Sequence, residues 1–165
     1  MRTYKGKIIT LVNEQLKTGD IAPDFKLVNS SLEDVYLHDF KESYLIINVV
    51  PSLDTPVCDI QTKTINEEII QNNKINLRVI TISNDLPFAQ QRWCDHEEME
   101  GIAVYSDYLY HDFGNKFGVL INEVKLLARS VFVLNSKREI IYDDYTNEIS
   151  QHLDYDKLLK FIEKL

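Results

Sequence analysis

The sequence predicts an α/β fold in which a central mixed sheet is flanked by helices, and three observations carry that prediction. Tyr44–Val50 and Leu77–Ile82 are near-continuous apolar runs of strand length, the signature of parallel strands buried on both faces. Each is followed by a segment of helical character, residues 56–71 and 86–98. Near the C-terminus, Ser130–Leu134 and Glu139–Tyr142 flank the turn Asn135–Arg138, a hairpin that adds antiparallel strands and makes the sheet mixed.

The elements follow in order. Up to about Leu37 the chain has short strand-like runs broken by turns: Lys7–Val12, Phe25–Val28 and Val35–Leu37. After the strand Tyr44–Val50, the helix over 56–71 presents Ile60, Ile65 and Ile69 as a partial apolar face. The helix over 86–98 is opened by Asp85 and Pro87, and Ile102–Tyr105 reads as a short strand. Residues 107–127 carry little pattern beyond a helical turn near Asp112–Phe117. Beyond the hairpin, Tyr155, Leu158, Leu159 and Ile162 stand at helical spacing. Strands alternating with helices imply a sheet covered on both faces, and this order is the layout of a thioredoxin-like fold. With no repeat, low-complexity segment or Pro/Gly/Ser-rich linker, residues 1–165 read as one domain.

Composition narrows the function. The chain is 44% hydrophobic, enough for an ordinary core, and its formal net charge of −8 disfavours a nucleic-acid partner. The longest apolar run, Leu45–Val50, is interrupted by Asn48 and falls far short of the roughly 20 residues that span a bilayer, so no membrane association is expected. Ile8–Val12 is too short for a secretory segment. Two cysteines are too few for a secreted disulfide scaffold, and a cytoplasmic protein is expected. His38, His96, His111 and His152 make no metal-ligand spacing with a cysteine, so neither metal nor cofactor is called for.

Cys58 is the main chemical candidate. Pro51-Ser52-Leu53-Asp54-Thr55-Pro56-Val57-Cys58 joins the first buried strand to the first helix, at the end of the sheet where ligands bind in open α/β folds. Thr55 suits an N-cap and Pro56 a first helical position. Cys58 then sits in the first turn, beside unpaired N–H groups and the positive end of the helix dipole, a placement that favours the nucleophilic thiolate. Asp54 and Asp59 oppose it, so the site needs a cation from elsewhere. Arg129, at the edge of the apolar strand Ser130–Leu134, is the best candidate. Spacing alone leaves open whether Arg129 serves Cys58, forms a structural ion pair or is exposed at a strand end. Without the Thr-Pro-x-Cys context Cys58 would read as an inert, buried small hydrophobe; with it, the helix terminus favours a reactive thiol.

The longer string Pro51-Ser52-Leu53-Asp54-Thr55-Pro56-Val57-Cys58-Asp59 resembles the active-site motif of the thiol peroxidase subfamily of the peroxiredoxins. Ser83–Cys94 resembles that subfamily's resolving-cysteine segment, Leu127–Val131 the strand bearing its active-site arginine, and Asp20–Phe25 its N-terminal signature. The resemblance implies a thioredoxin-like fold with an N-terminal β-hairpin extension. It implies Cys58 as the peroxidatic cysteine and Cys94 as the resolving cysteine of an atypical 2-Cys enzyme. Thr55 and Arg129 would bind and polarise the peroxide, and Pro51 would shield the thiolate. It further implies hydrogen peroxide and alkyl or lipid hydroperoxides as substrates, thioredoxin as reductant and a homodimer. Pro56 stands where the family usually has Gly, and Leu109 where it often has Arg.

Cys94 lies late in its helix, far from that helix's positive end, so Cys58 is expected to be the stronger thiolate. Two thiols on separate helices are expected to lie beyond the roughly 7 Å between Cα atoms that a disulfide tolerates, which predicts local unwinding during resolution. Trp93 reads as core. Phe113, Phe117 and Tyr110 could line a substrate channel or a dimer face, and Lys157, Lys160 and Lys164 read as a solvated helix face. A thiol–disulfide oxidoreductase would want a Cys-x-x-Cys pair, which is absent. A redox sensor using the same two cysteines is the non-enzymatic alternative.

Overall fold

A computed structural model describes residues 1–71, 75–99 and 101–165, the side chains of 69–71 excepted. An N-terminal hairpin, β1 (Arg2–Tyr4) with β2 (Lys7–Ile9), is separate from the main sheet. Its turn uses Lys5 and Gly6, both at positive φ, the geometry that matches the twist of paired strands. β1 is an element the sequence patterning does not reveal, since three half-buried residues show no alternation.

The main sheet has the order β4-β3-β7-β6-β5-β8-β9. Its strands are β3 (Lys26–Val28), β4 (Asp34–Tyr36), β5 (Tyr44–Val49), β6 (Leu77–Ser83), β7 (Ala103–Ser106), β8 (Ser130–Leu134) and β9 (Ile140–Tyr145). β5, β6 and β7 are parallel, while β8 and β9 add on antiparallel. Helices α1 (Pro56–Gln71) and α2 (Pro87–His96) make the two crossovers, α3 (Asp112–Lys116) precedes β8, and α4 (Tyr155–Ile162) closes the chain. Both crossovers step the same way across the sheet. Right-handed connection therefore places α1 and α2 on the same face.

Side-chain alternation sorts the strands between two cores. Leu45, Ile47 and Val49 pack with Ile80, Ile82, Phe132 and Leu134 on the face covered by α3 and the N-terminal segments. Ile46, Val131 and Val133 face the other way, against Ile65 of α1 and Leu158 and Ile162 of α4. Phe113 and Phe117 are fully buried and stack edge-on against Phe25, so they belong to the first core and line neither a channel nor a dimer face. Tyr110 is 40% exposed and donates its hydroxyl to Asp34. Lys157 and Lys160 are exposed on α4, as expected, and Lys164 is exposed in the turn just past its end.

The apolar face expected of α1 is not what the helix buries. Ile60 is 46% exposed, and Ile69 lies outside the described side chains. The inward stripe is Cys58, Gln61, Thr62, Ile65 and Asn66, helical spacing carried mostly by polar residues. Buried amides are costly unless hydrogen-bonded, and these are. Asn66 donates to the Thr62 carbonyl, Asn48 donates to Thr62 and Thr81, and Gln61 donates to Asn48.

Candidate active site

The turn from β5 into α1 brings Pro51, Thr55 and Cys58 together at the C-terminal end of the parallel strands. Asp85 anchors this turn. Its carboxylate accepts from Ser52 Oγ at 2.7 Å, the Leu53 N–H at 2.8 Å and Ser83 Oγ at 2.8 Å. The expectation that Asp85 opens α2 is corrected here: Leu86 is the N-cap, with no side-chain cap bond, and Pro87 takes the first helical position. Pro51, within the turn, is buried. α1 begins at Pro56, and the Asp59 N–H closes its first bond on the Thr55 carbonyl at 3.0 Å.

Cys58 is fully buried in the first turn of α1, packed with Val50, Leu53 and Trp93. Its sulfur is not surrounded by hydrocarbon alone. The Thr55 hydroxyl lies 2.7 Å from Sγ, and Arg129 Nη2 lies 3.2 Å from it. The Thr55 hydroxyl is also 3.1 Å from the Ser52 carbonyl, so its one proton is shared between two acceptors.

Arg129 immediately precedes β8 and is 2% exposed. Its three donating corners are fixed separately: Nε to the Ile149 carbonyl at 2.8 Å, Nη1 to Gln61 Oε1 at 2.7 Å, and Nη2 to the sulfur. None of these acceptors is a carboxylate. Arg129 is therefore not exposed at a strand end, and among the described residues it pairs with no acid. A buried guanidinium without an anionic partner is costly, and the ionisable group it touches is the Cys58 thiol. The two neighbouring carboxylates have cations of their own: Asp59 pairs with Lys63 at 3.0 Å, and Asp54 lies 3.9 Å from Arg92.

Gln61 and Asn48 are the site residues that sequence reasoning missed. Gln61 bridges Arg129 to Asn48, donating to Asn48 Oδ1 at 2.6 Å. Both leave a signal in the sequence. Asn48 is the lone amide inside an apolar strand, and Gln61 lies one helical turn beyond Cys58. The Ile149 carbonyl leaves none, because a backbone acceptor has no residue-type signature.

Cys94 is half-buried on α2 and packs on the same cluster as Cys58, and both are free thiols. Burial pushes the Cys94 thiol up, and Asp95 adds to the effect. Between the two helices runs a clasp. Trp93, buried as expected, donates its indole N–H to Asp59 at 3.0 Å, and Lys63 joins Asp59 to Glu97. A cleft of about 510 Å³ opens there, floored by Leu53, Pro56 and Trp93 and rimmed by Asp54, Arg92 and His96. Among the described residues, no cluster of three or more His, Cys, Asp or Glu side chains could hold a metal, and no helix is long and apolar enough to cross a membrane.

Comparison with known proteins agrees with this geometry. The AhpC/TSA family matches residues 18–143. The thiol peroxidase of Bacillus subtilis is 45% identical over 163 residues, 99% of this chain and 96% of that protein. That of Listeria innocua is 45% identical over 162 residues, covering 98% and 97%. Among solved structures, a peroxiredoxin-like protein from Aquifex aeolicus superposes with a TM-score of 0.88 at 36% identity, over 99% of this chain and 95% of that one. A thiol peroxidase from Chromobacterium violaceum shares the fold, with a TM-score of 0.86 at 20% identity over 99% and 95%. A family match across most of the sequence, and relatives this similar along its whole length, show that the chain belongs to the AhpC/TSA family, on the thiol peroxidase branch of the peroxiredoxins.

Proposed function

We propose that this thiol-dependent peroxidase reduces hydrogen peroxide and alkyl or lipid hydroperoxides through Cys58, with Cys94 resolving the oxidised product in the same chain. The observation that carries the reading is the Cys58 sulfur held between the Thr55 hydroxyl and a buried Arg129 that has no carboxylate partner among the described residues. The Cys58 thiolate attacks one peroxide oxygen, the O–O bond breaks, and its electron pair stays on the departing oxygen. Arg129 and the Cys58 N–H meet that growing charge, and donors aimed in advance stabilise it without reorganisation. The departing oxygen takes a proton and leaves as alcohol or water. Cys58 is left as sulfenic acid. Thr55 can donate to one peroxide oxygen and accept from the protonated one, and Pro51 keeps bulk water from the sulfur.

Cys94 then attacks the sulfenic sulfur. Water leaves, and a Cys58–Cys94 disulfide forms. A thioredoxin-type dithiol takes up the disulfide and returns both thiols. The two cysteines sit on separate helices clasped to each other, so α1, α2 or both unwind locally for the sulfurs to meet. Two cysteines in a chain of this size suit a reducing, cytoplasmic setting. A homodimer is part of the same reading, supported by the exposed apolar side chains of Leu86, Phe88 and Leu109; light scattering tests it.

Steady-state turnover with a thioredoxin system, together with mass spectrometry after one equivalent of peroxide, tests the whole scheme. Cys58→Ser should consume no peroxide. Cys94→Ser should complete one turnover and stop as sulfenic acid. Wild type should gain one intrachain disulfide. Peroxide consumption by Cys58→Ser would overturn the assignment.

A further inference from the structure

We propose that Glu148 is a positioning residue for Arg129, acting by tying the N-terminal hairpin to the backbone that holds the guanidinium. The inference rests on the role given to Arg129 above. The Ile149 carbonyl accepts from Arg129 Nε at 2.8 Å, while the N–H of the same residue donates to the Thr3 carbonyl at 2.9 Å. Thr3 also donates its own N–H to the Asn147 carbonyl at 2.8 Å. The hairpin thus forms a short parallel bridge to residues 147–149, and Arg129 hangs from the opposite side of that strip.

Two backbone bonds to a short, terminal hairpin would fray alone, since a two-stranded hairpin is marginal in water. Glu148 supplies the fastening. One carboxylate oxygen accepts from Thr3 Oγ1 at 2.8 Å and the Gly6 N–H at 3.1 Å. The other accepts from the Lys5 N–H at 2.9 Å, the Ser150 N–H at 3.1 Å and Ser150 Oγ at 2.5 Å. Both turn residues at positive φ, Lys5 and Gly6, therefore point their N–H groups at one acid. The bonds from Ser150, Gly6 and Thr3 pull its carboxyl down to about 2, so it is an acceptor throughout the neutral range. Arg2 seals the outer edge over the Tyr145 ring at 4.0 Å.

A double-mutant cycle separates positioning from general support. The second-order rate of Cys58 oxidation by hydrogen peroxide is measured by stopped flow in wild type, Glu148→Gln, Arg129→Met and the double variant. Gln presents an NH₂ to a nest of N–H donors, so the hairpin should loosen. The expected result is a fall of about tenfold from Glu148→Gln in the wild-type background, below the 10²–10³ range seen for losing a transition-state donor outright, because the guanidinium is loosened and not removed. In the Arg129→Met background the fall should be less than about twofold, because the two residues act as one unit. Equal falls in both backgrounds, or none in wild type, would overturn the proposal. An unchanged rate in Arg129→Met would instead sink the reading of the active site itself. Should Glu148→Gln fail to fold, Thr3→Val, which removes one donor and keeps the backbone, carries the same test on a smaller scale. A ¹⁵N-arginine spectrum gives an independent readout: the Arg129 Nε–H should exchange faster in either variant, and unchanged exchange counts against the proposal.

Discussion

Removing the Trp93 indole N–H should make resolution faster and the enzyme harder to over-oxidise. Trp93 adjoins Cys94 in sequence, and its acceptor Asp59 adjoins Cys58, so their bond at 3.0 Å spans the segments that must separate before the sulfurs can meet. A hydrogen bond to a charged group contributes about 1.5–3 kcal/mol. The Asp59 side chain is 26% exposed and retains Lys63, which argues for the lower part of that range. At about 1.5–2 kcal/mol, Trp93→Phe should raise the population of the opened state, and with it the resolution rate, about 10–30-fold. Lys63→Met removes partly exposed ion pairs worth about 0.5–1 kcal/mol and should give only about 2–5-fold. The assay is a partition. A Cys58 sulfenic acid either meets Cys94 or meets a second peroxide and becomes sulfinic acid. Mass spectrometry across a peroxide series gives the concentration at which half of the protein is sulfinic. That midpoint tracks the resolution rate and is insensitive to how fast the first oxidation occurred. It should move upward by the same factors. A midpoint in Trp93→Phe that stays put or moves down would refute the clasp as a barrier to resolution.

Arg129→Lys should lose about 10²-fold or more in the second-order rate with peroxide, because one ammonium cannot reach three divergent acceptors; stopped-flow oxidation checks this. Asp95→Asn should speed resolution at neutral pH, since Asp95 helps hold the Cys94 thiol up; wild-type resolution should also quicken as pH rises, and a rate flat from pH 6 to about 9 would contradict it. Burial pushes the Asp107 carboxyl up to about 7, against the N–H bonds it accepts from Gly114 and Phe113. A folded-state value raised above the unfolded one gives stability that is full below about 4 and lost as pH climbs towards 7. Urea unfolding should therefore show wild type losing roughly 2–4 kcal/mol relative to Asp107→Asn across that window, and parallel pH curves for the two proteins would rule it out.

The α/β layout was legible because its central strands are long and apolar, and Tyr44–Val50, Leu77–Ile82 and Ser130–Leu134 sit within a residue of the observed β5, β6 and β8. The resemblance implied the N-terminal hairpin, but β1 was not legible in the patterning, because its pairing is fixed by a turn and by Glu148, more than a hundred residues away, and not by periodicity. The inward face of α1 was misread for a related reason. Hydrophobic spacing assumes that buried means apolar, and here the buried stripe is an amide-rich support for Arg129. Asp85 looked like a helix opener by residue type but spends its oxygens on the active-site turn. Geometry has brought Cys58, Thr55 and Arg129 into contact.

The buried polar chain from Thr81 through Asn48 and Gln61 to Arg129 is best understood as aim, not as strength. Apolar residues of similar volume would hold β5, α1 and β8 together at least as well, since a buried charge with its supporting dipoles recovers little more than its desolvation penalty. What apolar packing cannot do is fix the orientation of a planar fork. Two corners of the guanidinium are held by groups that take no part in bond breaking, Gln61 and the Ile149 carbonyl, so the third corner points at the sulfur before any peroxide arrives. The two holders come from opposite ends of the chain's logic. Gln61 lies one helical turn from the nucleophile, and Ile149 lies on a strip secured by the N-terminus. An arginine held from both sides cannot swing to a nearer acid, and the carboxylates close to Cys58 are occupied by Lys63 and Arg92. The positive charge is thereby kept for the sulfur at position 58, which is what the proposed mechanism requires of it.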